Sequence, residues 1–265
     1  MDKQEILSKE YYEKGLSFFE ENKNSEALDS FTKAIEAEPK NAAAYLGRGG
    51  VYSETGEFER ALEDFNKAVE LAPESSHAYS RRGYCYTQAG DYDKAISDFS
   101  RCIDSGLKEG FVFYYRGRCY AGKGENDRAL SDFTAAIELG HETADSLMER
   151  AMTYSFMDEN EKAEADFNRA MELDPYNPDF YFTRGLSFIN LGEYGKAVED
   201  LSKTIELDPE NAAAYCLRGE ILRDAGEHDK AVLDLRRGLE LKPDGSLADR
   251  VRGILGELGE GEMQG

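Results

Sequence analysis

The chain has 265 residues, 54 acidic and 32 basic, for a net charge of −22. Such a field repels phosphate backbones, which are held by a basic footprint, so nucleic acid is excluded as the expected ligand. It attracts basic partners, though acidic faces serve solubility equally well. At 40% the hydrophobic share is low, yet 14 Phe and 16 Tyr are too many for a disordered chain, so a folded protein with a thin core is expected.

The N-terminal MDKQEILSKEYYEK holds no apolar h-region, and no stretch approaches a membrane span, so the expectation is a cytoplasmic location with no membrane contact. There are four cysteines and no CxxC pair. Cys85, Cys102 and Cys119 stand where related positions carry small residues, which reads as small buried hydrophobes rather than a disulfide frame or a metal site.

Self-similarity decides the architecture. A period of 34 residues runs without slippage through seven repeats, at 8–41, 42–75, 76–109, 110–143, 144–177, 178–211 and 212–245. In the second repeat, Tyr45, Gly49 and Tyr52 lie at helical spacing, Ala61, Phe65, Ala68 and Val69 form a second apolar face, and a turn around Gly56 separates them. Each repeat is therefore expected to be a helical hairpin. Small residues recur where two helices must approach: Gly15, Gly49, Gly83, Gly117, Ala151, Gly185 and Gly219 on the first helix, and Ala27, Ala61, Ala95, Ala129, Ala163, Ala197 and Ala231 on the second. Phe31, Phe65, Phe99, Phe133, Phe167, Leu201 and Leu235 fill the space between. One hairpin buries little, so neighbours must stack. Five repeats end at Pro39, Pro73, Pro175, Pro209 and Pro243, while the third and fourth end at Gly106 and Gly140, which suit left-handed C-caps. Beyond Gly245, Ser246 is expected to cap a helix whose stripe of Leu247, Val251, Ile254 and Leu258 covers the last hairpin, before a frayed tail from Gly259. At the other end, Asp2 with Glu5 is expected to open the first helix and its charged turn to serve as the opposite cap.

Tyr45, Gly49, Tyr52, Ala61, Phe65, Ala68 and Pro73, recurring at this period over nearly the whole chain, resemble the tetratricopeptide repeat. The resemblance implies an all-α fold, an α-α superhelix (solenoid) of seven helix-turn-helix repeats plus a C-terminal capping helix, forming a single domain over residues 1–265. First helices would line a concave groove that holds a peptide or a partner's helix.

Two departures from the family pattern carry information. A place often aliphatic in the family is basic here: Lys14, then Arg48, Arg82, Arg116, Arg150, Arg184 and Arg218. Asp64, Asp98, Asp132, Asp166, Asp200 and Asp234 recur just before the core Phe or Leu, and the first repeat, with Lys14, has Ser30 instead. This matched presence and absence points to a bidentate Arg–Asp pair repeated along the stack, the alternative being an arginine ladder for an acidic ligand. Whether the pair lies within a repeat or between repeats stays open, with Arg252 of the capping helix favouring the second. The other departure concerns chaperone adaptors of the family, which grip a terminal carboxylate with Lys, Asn and Arg. The matching places hold Tyr12, Leu16, Gly47, His77 and Arg81, and only Arg81 fits.

On the family geometry the groove residues are Tyr12, Leu16, Leu46, His77, Arg81, Tyr84, Phe111, Tyr114, Arg118, Met148, Met152, Phe182 and Leu186. That lining is apolar and aromatic with a basic spot, suited to an apolar or amphipathic segment. Core packing is the competing reading for any aromatic at helical spacing. On the groove reading, Tyr84→Ala with Tyr114→Ala removes binding and spares helicity.

No chemistry survives inspection. Residues 117–124 imitate a phosphate loop but put Gly124 where Ser or Thr is needed, inside a helical repeat with no preceding strand. His141-Glu142 lacks the second His of a zinc motif, and His77, His141 and His228 are scattered. The expectation is a non-enzymatic scaffold with no cofactor or metal, binding a protein or peptide partner of basic or amphipathic character. The alternative is a self-assembling structural scaffold joined through its end repeats, and the oligomeric state stays open.

Overall fold

A computed structural model describes residues 3–262, which form fifteen α-helices with no strand among the described residues. Asp2, expected to help open the first helix, lies outside the described residues, as do residues 263–265 of the expected tail. Inter-helix contacts divide the chain into two compact units, Met1–Glu142 and Thr143–Gly265.

The first unit holds four hairpins: α1 (Lys3–Glu20) with α2 (Asn24–Ala37), α3 (Ala42–Glu54) with α4 (Phe58–Leu71), α5 (Ser76–Gln88) with α6 (Tyr92–Asp104), and α7 (Gly110–Gly122) with α8 (Asn126–Glu138). The second holds α9 (Ala144–Phe156) with α10 (Asn160–Leu173), α11 (Pro178–Asn190) with α12 (Tyr194–Leu207), α13 (Ala212–Asp224) with α14 (His228–Glu240), and a last helix, α15 (Gly245–Glu262). These bounds match the hairpins expected from the period.

Local chemistry starts and stops the helices. Asn41, Ser75 and Asn211 accept from the backbone N–H three residues on, and Thr143 and Ser146 form a reciprocal capping box. The hairpin turns need a left-handed residue, supplied by glycine at Gly56, Gly90, Gly124, Gly192 and Gly226 but by Asn22 and Asp158 in the first and fifth repeats. Gly106 and Gly140 are left-handed as expected.

The core is one large side chain per hairpin, inserted against a first helix that lacks a side chain. Phe31, Phe65, Phe99 and Phe133 in the first unit, and Leu201 and Leu235 in the second, are fully enclosed. A Cβ added at Gly49 would lie 2.7 Å from the Phe65 ring, and one at Gly117 would lie 2.8 Å from Phe133. At two knobs the residue 16 positions on closes the site from the following helix: Tyr115 stacks on Phe99 at 6.3 Å, and Val251 joins Leu235 and Cys216 in one cluster.

The last helix covers the seventh hairpin through Val251, Ile254, Leu247 and Leu258, as expected. Two details differ. Its cap is Asp244, which accepts from the Leu247 N–H at 2.9 Å and from the Ser246 hydroxyl at 2.7 Å, because a carboxylate one residue before the helix reaches further into its first turn than Ser246 does. The helix also runs through Glu262 rather than fraying from Gly259.

All four cysteines are free and fully buried. Burial pushes the Cys102 thiol up to about 12 and the Cys216 thiol up to about 11, and raises those of Cys85 and Cys119. The native chain is therefore expected to resist iodoacetamide at mildly alkaline pH, with all four thiols reacting once it is unfolded. In the unfolded chain these thiols ionise near about 8.5. The stability that comes from keeping them neutral is intact below that pH and declines as pH rises through the raised folded values. Mass spectrometry of alkylated protein and urea midpoints across the alkaline range check both.

Candidate interaction surface

The Arg–Asp pairs are internal to each hairpin. Arg48 Nε and Nη2 donate to the two oxygens of Asp64 at 2.8 and 2.9 Å, 16 residues away and in the same repeat. The same fork joins Arg82 to Asp98, Arg116 to Asp132, Arg150 to Asp166, Arg184 to Asp200 and Arg218 to Asp234, at 2.6 to 2.8 Å. The Asp residues are buried and the arginines mostly so. The hydrogen bonds that Asp64 accepts hold the Arg48 guanidinium above its ordinary value, with burial opposing.

Arg252 does not extend this ladder. It pairs with Asp249 of its own helix at 2.6 Å, so a pair across the junction does not follow from it. The junction is crossed by a different atom, Nη1, which donates from Arg48 to Thr32, from Arg82 to Asn66, from Arg116 to Ser100 and from Arg218 to Ser202, each on the preceding repeat. Sequence reasoning missed these acceptors, although a small polar residue at every one of these positions was their signal. With all six guanidiniums of the ladder already forked onto an aspartate of their own repeat, the ladder is accounted for without an acidic ligand.

The variable residues of the first helices distribute unevenly. In the first unit, α3, α5 and α7 border a hollow of about 370 Å³ lined by Gly50, Ser53, Glu54, Ser80, Arg81, Tyr84, Phe111 and Tyr115. Three of the expected groove residues, Arg81, Tyr84 and Phe111, meet there. Tyr84 packs edge-on against Tyr115 with ring centroids 5.1 Å apart, which fixes the orientation of both rings. Arg81 is exposed and has no ion pair among the described residues. Arg118 lies 5.9 Å from the ring centroids of both Tyr114 and Tyr115. Gly50, Ser53, Glu54 and Tyr115 were not singled out from the sequence.

Tyr114 belongs to the core rather than to an open surface: it is 7% exposed and packs on Phe133 and His141. Met148 is likewise buried. A Tyr84→Ala, Tyr114→Ala pair therefore disturbs packing and does not isolate binding. Tyr12 is half-buried against Phe31 at 5.9 Å, and that burial raises its phenol above the ordinary value. Leu46 packs beside Tyr84 on the Phe65 cluster. Leu16 and His77 are exposed, and Phe182 is half-buried; none of the three lines the α3–α5–α7 hollow or the one between α9 and α11. In the second unit, Met152 and Leu186 meet in a hollow of about 240 Å³ between α9 and α11.

Among the described residues there is no cluster of three or more His, Cys, Asp or Glu placed to hold a metal ion, and no helix long and apolar enough to cross a membrane.

The tetratricopeptide repeat family model matches residues 12–76, 51–106 and 182–246, more than half of the chain, and a second tetratricopeptide repeat model matches 144–177. The chain is a tetratricopeptide repeat protein. No curated protein matches its sequence. Among solved structures, this tetratricopeptide repeat protein is similar to YrrB, described as having an unusual peptide-binding site, at 28% identity and a TM-score of 0.60, over 71% of this chain and 97% of that one. It shares its fold with a tetratricopeptide repeat protein of Parabacteroides merdae (21% identity, TM-score 0.69, 93% of this chain and 97% of that one). It also shares its fold with MamA (22% identity, TM-score 0.57, 64% of this chain and 92% of that one).

Proposed function

We propose that this tetratricopeptide repeat protein is a non-enzymatic interaction scaffold that seats a partner peptide on the first helices of its first unit. The observation that carries the reading is the hollow in which Tyr84, Phe111 and Tyr115 stand beside the unpaired Arg81. Aromatic and Arg side chains held rigid by packing lose little entropy on binding and supply most of the energy at protein interfaces. The peptide-binding site named for YrrB supports a polypeptide ligand. The net charge of −22 speaks against nucleic acid, and four free, buried cysteines suit a reducing compartment such as the cytoplasm.

Affinity capture from native cell extract tests the reading. Wild type is expected to retain a polypeptide partner that Tyr84→Ala with Phe111→Ala loses, at about 2 kcal/mol for each aromatic anchor. Arg81→Glu, on an exposed side chain, is expected to weaken capture with circular dichroism and thermal midpoint unchanged. Retention by both variants equal to wild type would sink the assignment.

A further inference from the structure

The fifth repeat departs from its sisters twice within three residues. Phe156 stands where the other repeats have Glu20, Glu54, Gln88, Gly122, Asn190 and Asp224, and Asp158 stands where five of them have glycine. Phe156 is 75% exposed, so the fold does not account for it. Asp158 is held at a φ of 59°, where glycine would be free of strain. Both line the hollow between α9 and α11, together with Met152, Leu186 and Leu191. Beside Met152, Leu186 and Leu191, and among the polar Ser155, Asn160, Thr183, Ser187 and Asn190, these two substitutions thus add an exposed aromatic and an exposed carboxylate at one place.

The charge around the hollow says what covers it. Between positions 143 and 193 Asp and Glu outnumber Lys and Arg eleven to four. All four basic side chains are bound to carboxylates: Arg150 to Asp166, Lys162 to Glu159, Arg169 to Glu172 and Arg184 to Asp200. The charge left over is negative, and Asp158 places part of it at the rim. An acidic ligand would meet repulsion there, while a cationic one is both steered and held.

We infer that the α9–α11 hollow of the second unit is a docking site for a cationic amphipathic segment of a partner polypeptide, one large apolar side chain entering beside Phe156 and flanking Lys or Arg meeting Asp158. The volume of about 240 Å³ suits a single apolar anchor. It shares no lining residue with the hollow bordered by Tyr84 and Phe111, and the two are tested independently.

Fluorescence anisotropy on the full chain decides it, with a labelled amphipathic peptide of Leu and Lys at helical spacing and the same peptide with Glu replacing Lys. The Lys peptide is expected to bind saturably, one per chain, and the Glu peptide not to bind. Phe156→Ser, on an exposed side chain, is expected to weaken binding by about tenfold. Asp158→Asn, which tolerates the same backbone conformation, is expected to weaken it by about threefold and to flatten its salt dependence. Tyr84→Ala with Phe111→Ala should leave this affinity unchanged. Equal binding of the Lys peptide by wild type, Phe156→Ser and Asp158→Asn would mean diffuse adsorption to an acidic protein and overturn the proposal. So would absence of binding, equal binding of the Glu peptide, or self-association in sedimentation that Phe156→Ser abolishes, which would assign the hollow to a second copy.

Discussion

Asp98→Ala is expected to destabilise the chain by about 3 kcal/mol, because it leaves the largely buried Arg82 guanidinium with its charge uncompensated. In the native chain Arg82 donates twice to Asp98 at 2.8 Å and once to Asn66 at 2.9 Å, and its guanidinium lies 5.4 and 5.8 Å from the rings of Tyr79 and Tyr86. Removing the carboxylate spares the Asn66 bond and the ring contacts but deletes the only counter-charge in that group. Replacing both partners by apolar residues, Arg82→Met with Asp98→Leu, should recover most of the loss, since desolvation of the pair already cancels much of its attraction. An exposed pair such as Lys67 and Glu70 gives a contrast, with Glu70→Ala expected to cost no more than about 0.5 kcal/mol. Urea midpoints of the three variants against wild type separate these outcomes, and a loss at Asp98 as small as that at Glu70 would refute a structural role for the ladder.

The ladder also shows how far periodicity reaches. That arginine and aspartate belong together was legible, because the first repeat lacks both. Which arginine meets which aspartate was not, since Arg48 and Asp64 are 16 residues apart and Asp64 and Arg82 are 18 apart. Antiparallel packing within the hairpin selects the shorter span, and Arg252, which pointed the other way, is satisfied by Asp249 within one turn of helix. The knobs and their facing glycines were legible for a different reason, because each is repeated and each repetition tests the same steric demand. The candidate surface is built from residues that do not repeat, so periodicity carries no information about their exposure. Positions Leu46, Ser80, Tyr114, Met148 and Phe182 are equivalent in sequence, yet Ser80, Tyr114 and Met148 are buried while Leu46 and Phe182 are half open. Side-chain size and the neighbouring helix decide that locally, as when Tyr114 finds both Phe133 and His141 to pack on.

The steepest single loss is expected at Phe31→Ala, about 4 kcal/mol, from deleting a fully buried ring and leaving a cavity that two helices cannot close. The Phe31 ring is pressed between two glycines on different helices: a Cβ at Gly15 would come within 2.6 Å of it, and one at Gly47 within 2.5 Å. Both backbones are thus already at closest approach on this ring, and neither facing glycine carries a side chain that could fill the void left by alanine. The hairpin of α1 and α2 also lacks the fork that braces the other three hairpins of the first unit. Among the described residues it packs on one neighbouring hairpin, through α3, and in place of the Arg–Asp fork it has Lys14 and Ser30. In a stacked array stability is a sum of repeat and nearest-neighbour contributions, so a loss of this size at an end exceeds what one interface restores. Phe31→Ala is therefore expected to open α1 and α2 while α5 to α8 stay folded. Native-state hydrogen exchange would show it as protection lost over residues 3–37 and kept over 76–138. Uniform loss across the unit would mean that the four hairpins fold as a single cooperative block instead.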